Sequence, residues 1–213
     1  DMLGTLADIL KFWVSRMIMF SLYLKNEVPF KDVYLWSMVA DAKGQKMSKS
    51  KGNVINPLEF VDKYGADALR MALLYAVAPG SIVPLSEDKV RGMRNLSNKI
   101  WNATRYVLDS KNNSQTSDKK YLVKLKTITK TITKHIEKYQ FGMATEKLYD
   151  WFWHWFCDEC IEQHKTGKLS DAALRTGLET FLKLFHPFMP FVTESAWQEM
   201  EHKNLLICEN WPS

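Results

Sequence analysis

The sequence predicts a mainly α chain, in which the edge of a small α/β layer precedes an antiparallel bundle of helices. Three observations carry that expectation. Strand-like composition is confined to one short stretch near the N-terminus, Asp32–Val39, rich in β-branched and aromatic residues. A lysine loop closed by a glycine follows it at once. Beyond Pro84, apolar residues recur three and four apart through four to five successive segments separated by short breaks.

Taken in order, residues 8–24 place Ile9, Phe12, Trp13, Met17, Phe20 and Leu24 at helical spacing, so one helix face is expected to be apolar and to pack inward. Pro29 ends that region. Asp32–Val39 reads as a buried strand, and Asp41-Ala-Lys-Gly44 as the turn after it. Pro57 opens a helix running through Val61 and broken at Gly65, and Ala66–Val77 is a second one stopped by Pro79-Gly80. The stretch Pro79–Pro84 is the clearest boundary in the chain. Ser86 is an N-cap candidate with Glu87 and Asp88 in the first turn, where the helix dipole favours anions. Val90, Met93, Leu96, Ile100, Trp101, Thr104 and Val107 then stripe a long helix, and Ser110–Ser117 reads as a loop.

The Thr-Ile-Thr repeats of Lys119–Lys138 suggest a strand, but Leu122, Leu125 and Ile128 are three apart and fit a helix alone. Its opposite face carries Lys120, Lys124, Lys130 and Lys134. Phe141-Gly142 is expected to turn the chain. Ala144, Leu148, Trp151, Phe152, Trp155 and Ile161 stripe the next helix, and Leu174, Leu178, Phe181 and Phe185 the one after Ser170. Pro187 and Pro190 force a break before a last helix containing Trp197.

Composition narrows the classes. An apolar content of 46 % describes a globular chain rather than a disordered one. A net charge of +5 favours acidic partners, nucleic acid foremost. Three cysteines, Cys157, Cys160 and Cys208, give no disulfide framework and suit a reducing, cytoplasmic setting. Lys11 and Arg16 interrupt the first apolar run, so neither a membrane span nor a signal peptide is expected. The ends, Asp1 and Trp211-Pro212-Ser213, suggest a piece of something longer.

The chemistry concentrates in Lys46-Met47-Ser48-Lys49-Ser50, continued by Lys51-Gly52-Asn53. Ammonium groups are mobile point charges with three donors each, Ser48 and Ser50 add hydroxyls, and Gly52 lets the backbone turn. A solvated basic turn would have the same composition, but a polyanionic phosphate is what such donors suit. Asn98, Asn102 and Arg105 share one face of their helix at i, i+4 and i+7, with Lys99 and Tyr106 beside them, and a ring next to a guanidinium can stack an unpaired base. Tyr106 could equally join Val107 in the core. His154, Cys157, Cys160 and His164 invite a metal reading, but one helix strings them over ~15 Å, too far for four ligands to converge, so no metal is expected.

The loop matches KMSKS, the second signature of class I aminoacyl-tRNA synthetases, without a mismatch, and the flanks extend the resemblance. Asp8-Ile-Leu-Lys-Phe-Trp-Val-Ser-Arg-Met-Ile-Met19, Pro29-Phe-Lys-Asp-Val-Tyr34, Lys51-Gly-Asn-Val-Ile55 and Tyr64-Gly-Ala-Asp-Ala-Leu-Arg70 resemble the valyl branch of that family. So do Asn98-Lys-Ile-Trp-Asn-Ala-Thr-Arg-Tyr106, Tyr149-Asp-Trp-Phe-Trp-His154 and Phe185-His-Pro-Phe-Met-Pro190. The resemblance implies the remnant edge of a Rossmann-like catalytic domain (1–56), a connecting helical segment (57–84) and a helical anticodon-binding domain (85–213). It implies ATP-dependent activation of valine, with Mg2+ in the full-length enzyme, and transfer to tRNA(Val) by a monomer. Isoleucyl or leucyl specificity, or a non-catalytic tRNA-binding module, are the alternatives.

By the same resemblance, Lys46 and Lys49 are the catalytic cations, Lys49 the more important, and Lys46, Met47, Ser48, Lys49 and Ser50 bind ATP. Trp13, a core aromatic by periodicity, matches a wall of the amino-acid pocket. Tyr106 matches a position where the family has an aromatic proposed to meet the anticodon, and Asn98, Lys99, Asn102 and Arg105 are expected to meet the tRNA beside it. Two places depart from the family pattern: Trp36-Ser37 stands where relatives have His-Gly, and Gly4-Thr-Leu-Ala7 is an unusual lead-in. None of His135, His154, His164, His186 or His202 sits in the first signature, His-x-Gly-His, so the chain alone is expected to be inactive.

Overall fold

The computed structural model describes residues 1–110 and 118–212. Most of them are helical, and the Cα packing forms two units, residues 1–55 with 77–85, and residues 56–76 with 86–213. The expected 57–84 segment is thereby shared. Its two helices pack with the second unit and its last residues return to the first.

The first unit holds two parallel two-stranded sheets. β1 (Met2–Thr5) pairs with β2 (Asp32–Leu35), Gly4 opposite Tyr34, and β3 (Met38–Ala40) pairs with β4 (Ile82–Pro84). The expected single strand 32–39 is therefore two, interrupted at Trp36–Ser37. Hydrogen bonds explain the break: Trp36 N donates to Thr5 O at 2.7 Å, Met38 N to Ser81 O at 2.9 Å, and Ser37 Oγ to Ala78 O at 2.9 Å. The chain changes partners across two residues, a switch that local composition does not encode.

The expected helix 8–24 is also composite. A 3₁₀ turn (Ala7–Ile9) and a π turn (Leu10–Val14) precede α1 (Ser15–Lys25). Its apolar face does not pack inward. Val14 is buried, while Ile9, Phe12, Trp13, Phe20 and Leu24 are exposed. The spacing found helical structure but could not say that its first turns are 3₁₀ and π, nor whether anything in this chain covers the apolar side chains.

The second unit begins with α2 (Pro57–Tyr64) and α3 (Ala66–Leu74). Asn56 accepts from Leu58 N as N-cap and Pro57 sits at the first helical position. Then come α4 (Glu87–Asp109), α5 (Lys119–Glu137), α6 (Phe141–Asp150), α7 (Ile161–Lys165), α8 (Asp171–Phe185) and α9 (Pro190–Glu199). Ser86 and Ser170 cap α4 and α8 through their hydroxyls. The core is aromatic and aliphatic, built on Phe152, Phe156, Phe181, Phe185, Leu96, Ile100, Ile132 and Leu174.

α5 is a helix although threonine-rich. Thr127, Thr131 and Thr133 donate their hydroxyls to carbonyls four residues back, which satisfies the polar group within the helix. The turn expected at Phe141-Gly142 lies earlier, at Tyr139, which takes a left-handed φ of 57°; Gly142 is buried inside α6. α6 runs on into α7 through a π segment, Trp151–Cys160. Apart from Ser110, the expected loop 110–117 lies outside the described residues.

Candidate functional site

In the first unit the lysine loop hangs from the end of β3. Asp41 Oδ1 accepts from Lys43 N at 3.0 Å and Gln45 N at 2.8 Å, which bends the chain, and Gly44 supplies a left-handed φ of 77°. Asn53 then ties the loop's two ends. Its Oδ1 accepts from Ser48 N at 2.9 Å, while Nδ2 donates to Asp41 Oδ2 at 2.9 Å and Lys46 O at 3.3 Å. The Asn53 amide and the Gln45 N–H hold the Asp41 carboxyl below its usual range. Met47 turns back under the loop, its Sδ 3.4 Å from Ile55 N.

This clasp leaves the charged tips outside. Lys49 and Ser50 lie in a 3₁₀ turn, Lys49–Lys51, closed by Gly52 at φ 65°. Lys46, Lys49, Ser50 and Lys51 are exposed; Met47 and Ser48 are half-buried. Ser48 and Ser50 share a hydrogen bond at 3.2 Å. Lys46 Nζ rests 3.3 Å from Asp8 Oδ2, an exposed pair worth at most ~1 kcal/mol. The Lys49 and Lys51 ammonium groups on this braced, glycine-closed turn, with Lys46 just before it, are open to a polyanion from solvent. Trp13 lies on the π turn in the same unit, 57 % exposed, so it is a surface ring in this chain and not a core one.

The second cluster lies on α4. Asn98, Asn102 and Arg105 are exposed, with Lys99 and Tyr106 half-buried along their edge. Lys99 Nζ sits 4.5 Å over the Trp153 ring and 3.0 Å from Asp158 Oδ1. Tyr106 is neither in the core nor free. Its hydroxyl meets His164 Nδ1 at 2.9 Å, and burial pushes the phenol's pKa up. Asn98, Asn102 and Arg105 are thus exposed on α4, while Lys99 and Tyr106 beside them are fastened to the π segment and α7.

The cysteine–histidine run is dispersed. Cys157 and Cys160 are buried, and desolvation pushes both thiols up to about 12; His154 is exposed and meets Asp158 at 3.3 Å. Among the described residues no group of three His, Cys, Asp or Glu converges for a metal, and no helix is long and apolar enough to cross a membrane.

Asp8, Asp41, Asn53 and Asp171 escaped the sequence reading as site-bracing residues. Asn53 could have been found, since it directly follows the loop's closing glycine. The others act across turns or between helices, where spacing carries no signal.

Residues 1–82 match the family model for tRNA synthetases class I (I, L, M and V), and residues 118–213 match the model for the anticodon-binding domain of tRNA ligase. Residues 1–82 belong to the class I tRNA synthetase family. The chain is 42 % identical to Valine--tRNA ligase of Pelagibacter ubique over the whole chain and 27 % of that protein. It is 44 % identical to Valine--tRNA ligase of Syntrophotalea carbinolica over 91 % of the chain and 24 % of that protein. The chain therefore spans about a quarter of the length of these relatives. Its fold is like that of a leucyl-type synthetase, reported as the Agrobacterium radiobacter K84 agnB2 LeuRS-tRNA-LeuAMS ternary complex. There the TM-score is 0.84 at 22 % identity, covering 100 % of this chain and 28 % of that one.

Proposed function

We propose that this chain supplies the phosphate-clamping loop and the tRNA-binding helices of a valine–tRNA ligase. Identity of 40 to 44 % over 91 to 100 % of the chain to ligases of that name carries the reading. In the full enzyme the valine carboxylate attacks the α-phosphorus of ATP. The Pα–O bond to the β-phosphate breaks, and valyl-adenylate and pyrophosphate form. The valyl group then passes to the terminal ribose of tRNA(Val), and AMP leaves.

Negative charge shifts onto the departing pyrophosphate in the first step, so cations aimed there lower the barrier more than they tighten ground-state binding. Lys49, exposed on its 3₁₀ turn, is the principal clamp. Lys46 joins it by exchanging Asp8 for phosphate, an exchange that forfeits little because the pair is exposed. The Asn53 clasp holds the intervening residues in register while the lysine side chains swing. Mg2+ would arrive on the nucleotide's phosphates and neutralise part of their charge. Trp13, exposed on the π turn that follows Asp8, serves as a flat wall against larger aliphatic side chains.

In this reading residues 1–56 are the edge of the Rossmann-like catalytic domain, 57–84 its connection, and 85–213 an antiparallel anticodon-binding bundle. Asn98, Lys99, Asn102, Arg105 and Tyr106 face the RNA, and the enzyme works as a cytoplasmic monomer. ATP–pyrophosphate exchange by the full-length protein tests it: valine should support exchange far better than isoleucine or leucine. Lys49→Ala should lower kcat about 10²- to 10³-fold with little change in KM for valine. Exchange driven better by another amino acid, or untouched by Lys49→Ala, defeats the proposal.

A further inference from the structure

The α4 face contains an arrangement that RNA contact by itself does not require. Tyr106 is half-buried, its ring edge-on to the His164 ring at 88° with centroids 5.7 Å apart. His164 is 2 % exposed and carries a partner on each nitrogen: the Tyr106 hydroxyl 2.9 Å from Nδ1, and Asp171 Oδ1 2.5 Å from Nε2. A carboxylate can only accept, so Nε2 carries the proton and donates to Asp171. In the neutral imidazole Nδ1 is then an acceptor, and the phenol donates to it. The chain of bonds has one direction: Tyr106 to His164 to Asp171.

Its three members come from three elements: the last turns of α4, the end of α7, and the first residue of α8, directly after the cap Ser170. Lys165, next along α7, holds its ammonium 5.7 Å over the Tyr106 ring while paired with Glu162 at 2.6 Å.

We propose that His164 and Asp171 are positioning residues that lock the Tyr106 ring as a preset stacking platform for an unpaired RNA base. This rests on the reading of the α4 face as RNA-binding. The lock has two consequences for recognition. Because the hydroxyl is already engaged, Tyr106 offers the incoming base a ring face and no free donor, so it selects for stacking surface and leaves base-edge reading to Asn98, Asn102 and Arg105. And because the ring is held before RNA arrives, binding does not have to freeze its rotation, which is where preorganisation improves affinity. Lys165 marks the ring face that a base would take over, an ammonium over a π-face being readily exchanged for a stacked base at an exposed site.

The experiment is tRNA(Val) transcript binding by this chain, with a double-mutant cycle. Tyr106→Phe keeps the ring and deletes the hydroxyl; His164→Leu deletes the acceptor; His164→Gln can still accept from Tyr106 and donate to Asp171. The expected result is a weakening of about tenfold for Tyr106→Phe and for His164→Leu, with the double variant no weaker than either single, and most of the loss recovered by His164→Gln. In the imidazole nitrogen spectrum of the parent, the His164 Nδ1 resonance should move on Tyr106→Phe. Single effects that add in the double variant, or binding by Tyr106→Phe equal to the parent's, overturn the proposal. Should His164→Leu not fold, Tyr106→Phe and His164→Gln decide the matter on the same terms. Tyr106→Ala separates the two levels: if it weakens binding while Tyr106→Phe does not, the RNA-facing reading stands and the lock falls. If it leaves binding unchanged, both fall.

Discussion

Gly4 and Trp36, the two places where the chain departs from the family pattern, are neighbours. The Trp36 indole lies so close over Gly4 that any Cβ there would collide with it, and Tyr34 meets its edge at 4.8 Å. A large residue just past the end of β2 and the smallest within β1 are one packing solution, visible only once β1 and β2 are paired. Gly177 has the same relation to Tyr121, whose hydroxyl occupies the space a Cβ on Gly177 would need, with Phe156 close by. Gly177→Ala should therefore destabilise the chain by about 2–3 kcal/mol through overpacking, read from urea midpoints. Among the described residues the buried Tyr121 hydroxyl has no hydrogen-bond partner, and burial pushes its pKa up. Tyr121→Phe should consequently leave stability unchanged or raise it by up to about 1 kcal/mol. At this scale the loop's chemistry was plain in the sequence because its signature is contiguous. The braces Asp41 and His164 were hidden because each works on a residue it does not adjoin.

Among the elements, α3 shows what the Tyr64–Arg70 motif does in this fold. The Asp67 carboxylate accepts from Phe191 N at 3.2 Å and Val192 N at 2.6 Å, capping the start of α9 from another helix. One turn on, Arg70 donates to Phe188 O at 3.2 Å and Pro187 O at 3.0 Å, the carbonyls left over after α8. Together they fasten the break that Pro187 and Pro190 impose. Burial raises the Asp67 pKa despite those backbone donors. The folded chain thus binds this proton more tightly than the unfolded chain does. The sign follows: Asp67's contribution to stability is greatest below the ordinary carboxylate pKa and is lost as pH rises through the raised native value. Urea midpoints of Asp67→Asn, with no such proton, should lack that part of the parent's pH slope. Asp67→Leu, which strands two N–H groups, should cost about 2–4 kcal/mol. Helix existence was legible from the three-and-four spacing, α5 included. The π segment Trp151–Cys160 was not, because periodicity over ten residues does not distinguish a wide turn from an ordinary one.

Over the whole molecule, charge is the property composition reported most directly. The +5 balance is distributed in part as Lys120, Lys130 and Lys134, all exposed on α5. If RNA runs along that face, replacing the three by alanine should flatten the salt dependence of tRNA(Val) binding by up to about three phosphates' worth of counterion release, with base preference unchanged. An unaltered slope places the RNA elsewhere. The mainly helical character followed from composition and spacing because helices report their own period. How the chain divides did not, because Pro79–Pro84 reads as a seam while compactness depends on which surfaces meet.

That division makes the two units a laced pair. The backbone passes from one to the other at 55–56, returns at 76–77, where Ala76 takes a left-handed φ of 55°, and crosses again at 85–86. No single scission can part them, and a nick at any one crossing leaves two tethers. A chain begun at Ser86 would lose α2 and α3, and with them the Asp67 and Arg70 fastening of α9. The cleavage site that the proline-rich stretch advertises is thus a poor place to cut.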